Sequence, residues 1–151
     1  MKVTVRVTSN FKGQAKPLLK KYSSLRDELI EFENDLYENP RMGTPLGKST
    51  YKIRLKVKSK GRGKSGGLRI ISFVDEIIIG FVETNNKEII VYLLSIYDKS
   101  QTETITDREL KTLINSLEWI ISILIITKLT FWSECVDVDK ILLVVEKEKV
   151  E

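Results

Sequence analysis

Residues 51–58, YKIRLKVK, alternate strictly between apolar and basic side chains. Successive side chains of a β-strand point to opposite faces, so this pattern predicts a strand with one buried face and one cationic face. The two faces are formed by Tyr51, Ile53, Leu55 and Val57 on one side and by Lys52, Arg54, Lys56 and Lys58 on the other. The sheet that contains this strand is therefore expected to carry its core on one side and its charges on the other.

Three other segments have the character of strands. Residues 2–8, KVTVRVT, alternate in the same way, which predicts a half-buried strand. Residues 68–74 and 88–97 are apolar on both faces, as central strands are, and 77–82 either continues the first of these or bends away from it at Asp75. Two short turns are predicted among these strands. The glycine-rich SKGRGKSGG lies between the cationic strand and 68–74, and a Thr-Asn-Asn-Lys sequence precedes 88–97.

Two helices are predicted between the first strand and the cationic one. Ser9 or Asn10 is expected to cap a helix over 11–22, with Pro17 as a point of kinking or restart. A second helix follows Ser23 or Ser24 and ends at Asn39-Pro40, so the two form a hairpin. Residues 40–50 read as a loop, and a last helix begins near Arg108. The order β-α-α-β-β-β-α indicates an α+β domain, a small antiparallel sheet with the N-terminal helical hairpin on one face.

Charge is distributed unevenly along the chain. Ten of its 25 basic residues lie between Glu38 and Asp75, and all 21 acidic residues lie outside that interval. A basic segment in an otherwise acidic chain is typical of a protein with a polyanionic partner.

The composition excludes several kinds of chemistry. The 151 residues fit one domain and contain no His, which removes His bases, His metal ligands and nucleophile pairs that need an imidazole. A single Cys, Cys135, cannot form an internal disulfide or a Cys-rich zinc site. With no signal-peptide pattern at the N-terminus, we expect a cytoplasmic protein without cofactor or metal.

The end of the chain has a different character. Residues 119–132 carry one charge in 14 positions, which is too short for a membrane span of ~20 residues. No membrane association is expected. This segment is predicted to be buried against the same domain or in a homodimer interface. We therefore divide the chain into a domain at 1–115 and a C-terminal extension at 116–151.

The segment GKSTYKIRLKVKSKGRGKSGGLRIISF, followed by YLLSIYDKSQTETITDREL, resembles the RelE/HigB family of type II toxins, within the RelE/ParE superfamily. The resemblance covers roughly residues 2–115. It implies a RelE-like fold and a toxin that enters the ribosomal A site and cuts messenger RNA there, inhibiting translation. It further implies a metal-independent cut by attack of the ribose 2′-OH on the adjacent phosphate, and neutralisation by a cognate antitoxin, with operator DNA bound only through the antitoxin complex.

The resemblance also implies roles for individual residues. Lys52 and Arg54 match a basic pair on the first strand after the hairpin, and Arg69 matches a strand arginine that stabilises the phosphate. Lys99 stands where relatives carry a basic residue proposed as the acid for the leaving oxygen. Where some relatives have a base-stacking tyrosine this chain has Ile105, so Tyr97 is the candidate substitute. Arginine stays protonated, so Arg54 cannot act as a general base. Lys52 is therefore the candidate base of the pair.

The remaining cations are predicted to contact RNA or ribosomal phosphates: Lys48, Lys56, Lys58, Lys60, Arg62 and Lys64. Two alternatives stay open. One is a toxin of the same fold that targets DNA gyrase, as in the ParE branch, although the basic strand argues against it. The other is a catalytically decayed, non-enzymatic RNA-binding member, which the missing aromatic at Ile105 keeps in play.

Overall fold

The strand predicted from the alternating segment is present, and it lies inside a five-stranded sheet. The computed structural model describes residues 1–61, 67–79, 86–101 and 104–117, without the side chains of 78, 79 and 86. Arg62, Lys64 and the predictions for 118–151 lie outside the described residues.

The elements follow one another in the order strand, two helices and four strands. They are β1 (Lys2–Val7), α1 (Ser9–Lys21), α2 (Leu25–Glu38), β2 (Thr44–Gly47), β3 (Thr50–Lys56), β4 (Gly67–Ile79) and β5 (Asn86–Asp98). A short 3-10 turn, Lys58–Lys60, follows β3, and a further helix, α3, occupies 107–117. The structure confirms a mixed class of helices and strands, and the expected order and placement of the elements differ from it in detail.

The first correction concerns residues 40–50, which were expected to be a loop. They contain β2, which pairs antiparallel with β3 around a tight turn at Lys48 and Ser49. Both turn residues have positive φ, as a two-residue hairpin turn of the primed type requires. The alternation of side chains did not predict β2, because this strand is short and exposed and contains Gly and Pro.

The second correction concerns strand direction. The sheet order is β1-β5-β4-β3-β2, and β1 runs parallel to β5, whereas the other neighbours are antiparallel. The sheet is therefore mixed rather than antiparallel. The helical hairpin carries the chain from the end of β1, at one edge of the sheet, to β2, at the other edge.

Helices α1 and α2 pack on one face of the sheet. Phe11, Leu18 and Leu36 lie in the same buried cluster as Ile53 of β3 and Ile70 of β4. The residues on the opposite face alternate with these along each strand. One side of the central strands therefore supports the core, and the other is where Lys52, Arg54 and Arg69 lie.

The start of α1 protects the edge of β5. The cap of α1 is Thr8, not Ser9 or Asn10, and its hydroxyl accepts from the amide of Phe11 at 3.3 Å. Where β1 ends, the amide of Thr8 donates to Leu93 O and the side chain of Asn10 donates to Leu94 O at 2.8 Å. These bonds replace the missing strand partner along β5.

The chain divides into two compact units, Met1–Thr106 and a second that begins at Asp107. The sheet and α1–α2 belong to the first unit, and α3 belongs to the second. The expected division at residue 115 stays a prediction. No helix among the described residues is long and apolar enough to cross a membrane.

Gly13→Ala is expected to raise the free energy of unfolding by about 0.5–1 kcal/mol, because glycine is a poor helix former. Gly13 is exposed within α1, and an added Cβ would have no heavy atom within 4 Å. Chemical denaturation of both proteins would measure the difference. A destabilised variant would show that α1, which continues through Pro17, needs glycine near that proline.

Candidate nucleic-acid interface

The pairing register of the central strands brings three predicted site residues into one row. Arg54 of β3 lies directly opposite Arg69 of β4, and Arg69 lies directly opposite Tyr97 of β5. Directly paired residues in adjacent strands project to the same face. Lys52, two residues before Arg54, lies on this face as well.

These side chains line an open cavity of about 430 Å³ within the first unit. We call this cavity the cationic groove, and its lining residues are Gly43, Thr44, Lys52, Arg54, Arg69, Tyr97, Lys99 and Thr104. No acidic residue of the described chain is among them. The groove therefore presents four cations to an anionic ligand, with threonine hydroxyls beside them as further hydrogen-bonding groups.

The cations differ in how deeply they lie. Lys52 and Arg69 are half-buried, whereas Arg54 and Lys99 are exposed. A guanidinium at the centre of the row suits bidentate recognition of phosphate, and the flanking lysines act as compact point charges. The structure thus brings Lys52, Arg54, Arg69 and Lys99 together, although their chemical roles stay predictions.

The two residues considered for base stacking have different surroundings. Tyr97 lines the groove, but only 8% of it is exposed, so little of its ring can be covered by a base. Ile105 is half-buried and does not line the groove. A stacking role for Tyr97 stays a prediction.

The predicted phosphate contacts fall into two groups. Lys48, Lys56 and Lys58 are exposed, at the β2–β3 turn, on β3 and in the 3-10 turn. Lys60 is turned inward: its ammonium forms an ion pair with Asp98, and its side chain is 13% exposed. Lys60 is thus held in an internal contact, unlike the other three.

Two glycines permit close approaches, Gly43 in the wall of the groove and Gly67 at the start of β4. Gly43 has φ +106°, and a Cβ there would lie 2.7 Å from both Lys52 O and Ile53 Cγ1. A Cβ on Gly67 would lie 2.7 Å from Leu55 O and 3.4 Å from Arg54 Nε. Side chains at these positions would displace the backbone or the guanidinium. Sequence reasoning missed Gly43, because it lies in the segment 40–50 that was expected to be a loop.

Asp98 is the main residue near the groove that the sequence did not single out. It is 1% exposed, and its carboxylate accepts from the Tyr22 hydroxyl at 2.7 Å, from the Lys60 ammonium and from the Ser100 amide at 2.9 Å. Burial alone would raise the pKa of Asp98, but hydrogen bonds from Lys60, Tyr22 and Ser100 hold it well below its usual range. The carboxylate is therefore ionised at neutral pH.

A second set of contacts fixes the turn that follows β3. The buried Glu28 of α2 accepts from the amide of Lys58 at 2.6 Å, and Ser24 Oγ accepts from the amide of Ser59 at 3.0 Å. These groups satisfy amides at the start of the 3-10 turn, as capping side chains do at a helix. The basic turn is thereby tied to the start of α2.

The described residues offer no group of three His, Cys, Asp or Glu side chains that could hold a metal ion. The groove presents the cationic side chains of two arginines and two lysines around an open cavity. Such a site can bind phosphates and stabilise negative charge that develops on them.

No protein-family model matches the sequence. Among solved structures, this chain is similar to a mutant of the E. coli toxin RelE in its free state. The two are 21% identical, the match covers 68% of this chain and 90% of that chain, and the TM-score is 0.40.

Proposed function

We propose that the protein is a cytoplasmic type II toxin that cuts messenger RNA in the ribosomal A site and so inhibits translation. The cut would be made by the ribose 2′-OH on the adjacent phosphate, without a metal. A cognate antitoxin would neutralise the toxin by covering or displacing its positive surface, and operator DNA would be bound only by the complex. The C-terminal extension is proposed to pack on the same domain or to form a homodimer interface.

The convergence of four cations carries this proposal. Lys52 and Arg54 come from β3, Arg69 from β4, and Lys99 from the turn after β5, and all four line the cationic groove. Cations that surround a cavity from separate strands are better suited to binding a single phosphodiester than cations spread over a flat surface are. The order of these residues along the chain is the one that the resemblance to RelE/HigB toxins implies.

We assign roles by the chemistry that each side chain can perform. Lys52 is the proposed base that accepts the 2′-OH proton, because it is a lysine surrounded by other cations in the groove. Lys99 is the proposed acid that donates a proton to the leaving 5′ oxygen. Arg54 and Arg69 remain charged and stabilise the phosphorane.

Lys52→Ala is expected to lower the rate of message cleavage by about 10²–10⁴-fold, the usual contribution of general acid–base catalysis. The assay is a cell-free translation reaction with purified protein, in which new 5′ ends are mapped on a short message with active or blocked ribosomes. Lys16→Ala, which removes an exposed cation from α1, is the matched control and is expected to cleave like the wild type.

The outcomes separate the proposed function from its alternatives. Breaks that appear only during translation, and that depend on Lys52, support the toxin. Unchanged cleavage by Lys52→Ala would refute its role as the base. RNA binding without breaks would indicate a non-catalytic RNA-binding protein, and DNA damage in cells without message breaks would indicate a gyrase target.

A further inference from the structure

Asp98 lies under the wall of the cationic groove, and its two chain neighbours belong to that wall. Tyr97 and Lys99 both line the groove. Asp98 itself projects to the opposite side of the sheet, where it meets Tyr22 at the C-terminal cap of α1. Because side chains alternate along a strand, fixing the Asp98 carboxylate also fixes the direction of its two neighbours.

Hydrogen bonds to the Asp98 carboxylate fix the backbone turn that contains Lys99. Asp98 Oδ1 accepts from the Ser100 amide at 2.9 Å and from the Ser100 hydroxyl at 2.8 Å. The amide of Gln101 donates to the carbonyl of Asp98 at 3.0 Å and closes the turn. A side chain that bonds the backbone two residues later forms an Asx-turn, and Lys99 is the central residue of this turn.

The same carboxylate connects the turn to three other parts of the first unit. Tyr22 joins it to the helical hairpin, and Lys60 joins it to the turn after β3. The ammonium of Lys60 also lies 3.4 Å from the carbonyl of Gly67, where β4 begins. One buried group thus lies where β3 and β5 end and β4 begins, the three strands that carry Arg54, Arg69 and Tyr97.

We propose that Asp98 is a positioning residue that holds Tyr97 and Lys99 in the wall of the cationic groove through its bonds with Tyr22, Lys60 and Ser100. This rests on the proposed function of the groove and extends it to a residue outside it. A misplacement of about 1 Å can lower a rate by about 10²-fold, so loss of one anchor should be measurable in the chemistry.

Tyr22→Phe is the decisive variant because it removes one hydroxyl on the far side of the sheet from the groove. Tyr22 is 6% exposed and does not line the groove. Ser95→Ala is the matched control: Ser95 is buried in β5 and bonds Gln14 of α1 at 2.8 Å, so it removes a similar bond between the same two elements without touching Asp98. Asp98→Asn, which alters the central group, is the second test variant.

The readout is the maximal cleavage rate in the translation assay, measured under conditions where circular dichroism shows each variant folded. We expect Tyr22→Phe and Asp98→Asn to lower this rate at least 10-fold relative to Ser95→Ala, with a smaller change in the concentration of translating ribosomes that gives half-maximal rate. A merely structural bond would lower the folded fraction and leave the rate of the folded protein unchanged. Equal rates for Tyr22→Phe and Ser95→Ala would overturn the proposal while the cleavage function stands.

A binding measurement separates this failure from a failure of the proposed function. If the wild type does not cleave, a five-nucleotide RNA at low salt, titrated by calorimetry, replaces the cleavage assay. Weaker binding by Tyr22→Phe than by Ser95→Ala would support the positioning role without cleavage, whereas equal binding would overturn it. Absence of both cleavage and binding by the wild type would overturn both proposals.

Discussion

Arg69→Ala is expected to lower the rate of ribosome-dependent cleavage by about 10²–10³-fold, the usual cost of removing one group that stabilises transition-state charge. Arg69 is the centre of the row Arg54–Arg69–Tyr97 and is half-buried. Arg69→Lys should restore only part of the rate, because an ammonium retains the charge and loses the bidentate fork.

The same substitution should not lower the thermal stability of the protein. Arg54 and Arg69 are direct cross-strand neighbours, and like charges in that arrangement are destabilising. An unchanged or higher melting temperature for Arg69→Ala, together with lost cleavage, would show that the charge pair is retained for activity. Arg26→Ala, an exposed arginine on α2, is the control for general loss of charge. Full activity of Arg69→Ala would remove it from the proposed mechanism.

Asp98→Asn is expected to lower the free energy of unfolding at pH 7 by about 3–5 kcal/mol, the usual cost of removing one partner of a buried ion pair. The carboxylate is fully buried and the Lys60 side chain is 13% exposed, so little solvent could take the place of the Asp98 carboxylate beside Lys60. Urea denaturation of both proteins would measure the loss.

The difference in stability between the wild type and Asp98→Asn should become smaller as the pH falls. Hydrogen bonds outweigh burial and hold the pKa of Asp98 in the folded protein below the value of about 3.9 in an unfolded chain. A depressed pKa stabilises the folded state above the unfolded value, and this contribution is lost as pH falls further. The wild type should therefore approach Asp98→Asn in stability as the pH is lowered from 4 towards 2.

Glu88→Gln is the control for this prediction. The pKa of Glu88 is also lowered, by hydrogen bonds from Thr4 and Lys2, but Lys2 is 75% exposed. An exposed ion pair contributes about 0–1 kcal/mol, so the effect of Glu88→Gln should be small. A difference between wild type and Asp98→Asn that persists unchanged at pH 2 would contradict the ion-pair explanation.

The sequence predicted those parts of the fold that depend on local patterns. Alternation in β1 and β3 and the apolar runs of β4 and β5 were sufficient, because side-chain burial in a strand repeats every two residues. β2 was missed because Gly and Pro mask its short pattern. The parallel pairing of β1 with β5 was missed because it joins residues more than 80 positions apart, and no local pattern encodes that choice.

The candidate site was predicted to a similar extent and for similar reasons. The spacing of Lys52 and Arg54 placed them on one face, and the resemblance added Arg69 and Lys99. The register that sets Arg54 opposite Arg69 is a tertiary property, and so is the inward turn of Lys60. Asp98 was missed because a buried carboxylate has no composition signal; only its partners explain why it can be buried.

The pairing of β1 with β5 also governs when the described sheet can form during synthesis of the chain. Lys2 must pair with Glu88, and Val7 with Leu93, so β1 has no partner until β5, the last strand among the described residues, has been translated. A nascent chain that ends before β5 contains Arg54 and Arg69 but lacks Tyr97 and Lys99. Because domains generally fold as units during translation, the groove cannot assemble stepwise on the ribosome that makes it. The cationic groove can therefore form only after β5 has left the ribosomal exit tunnel.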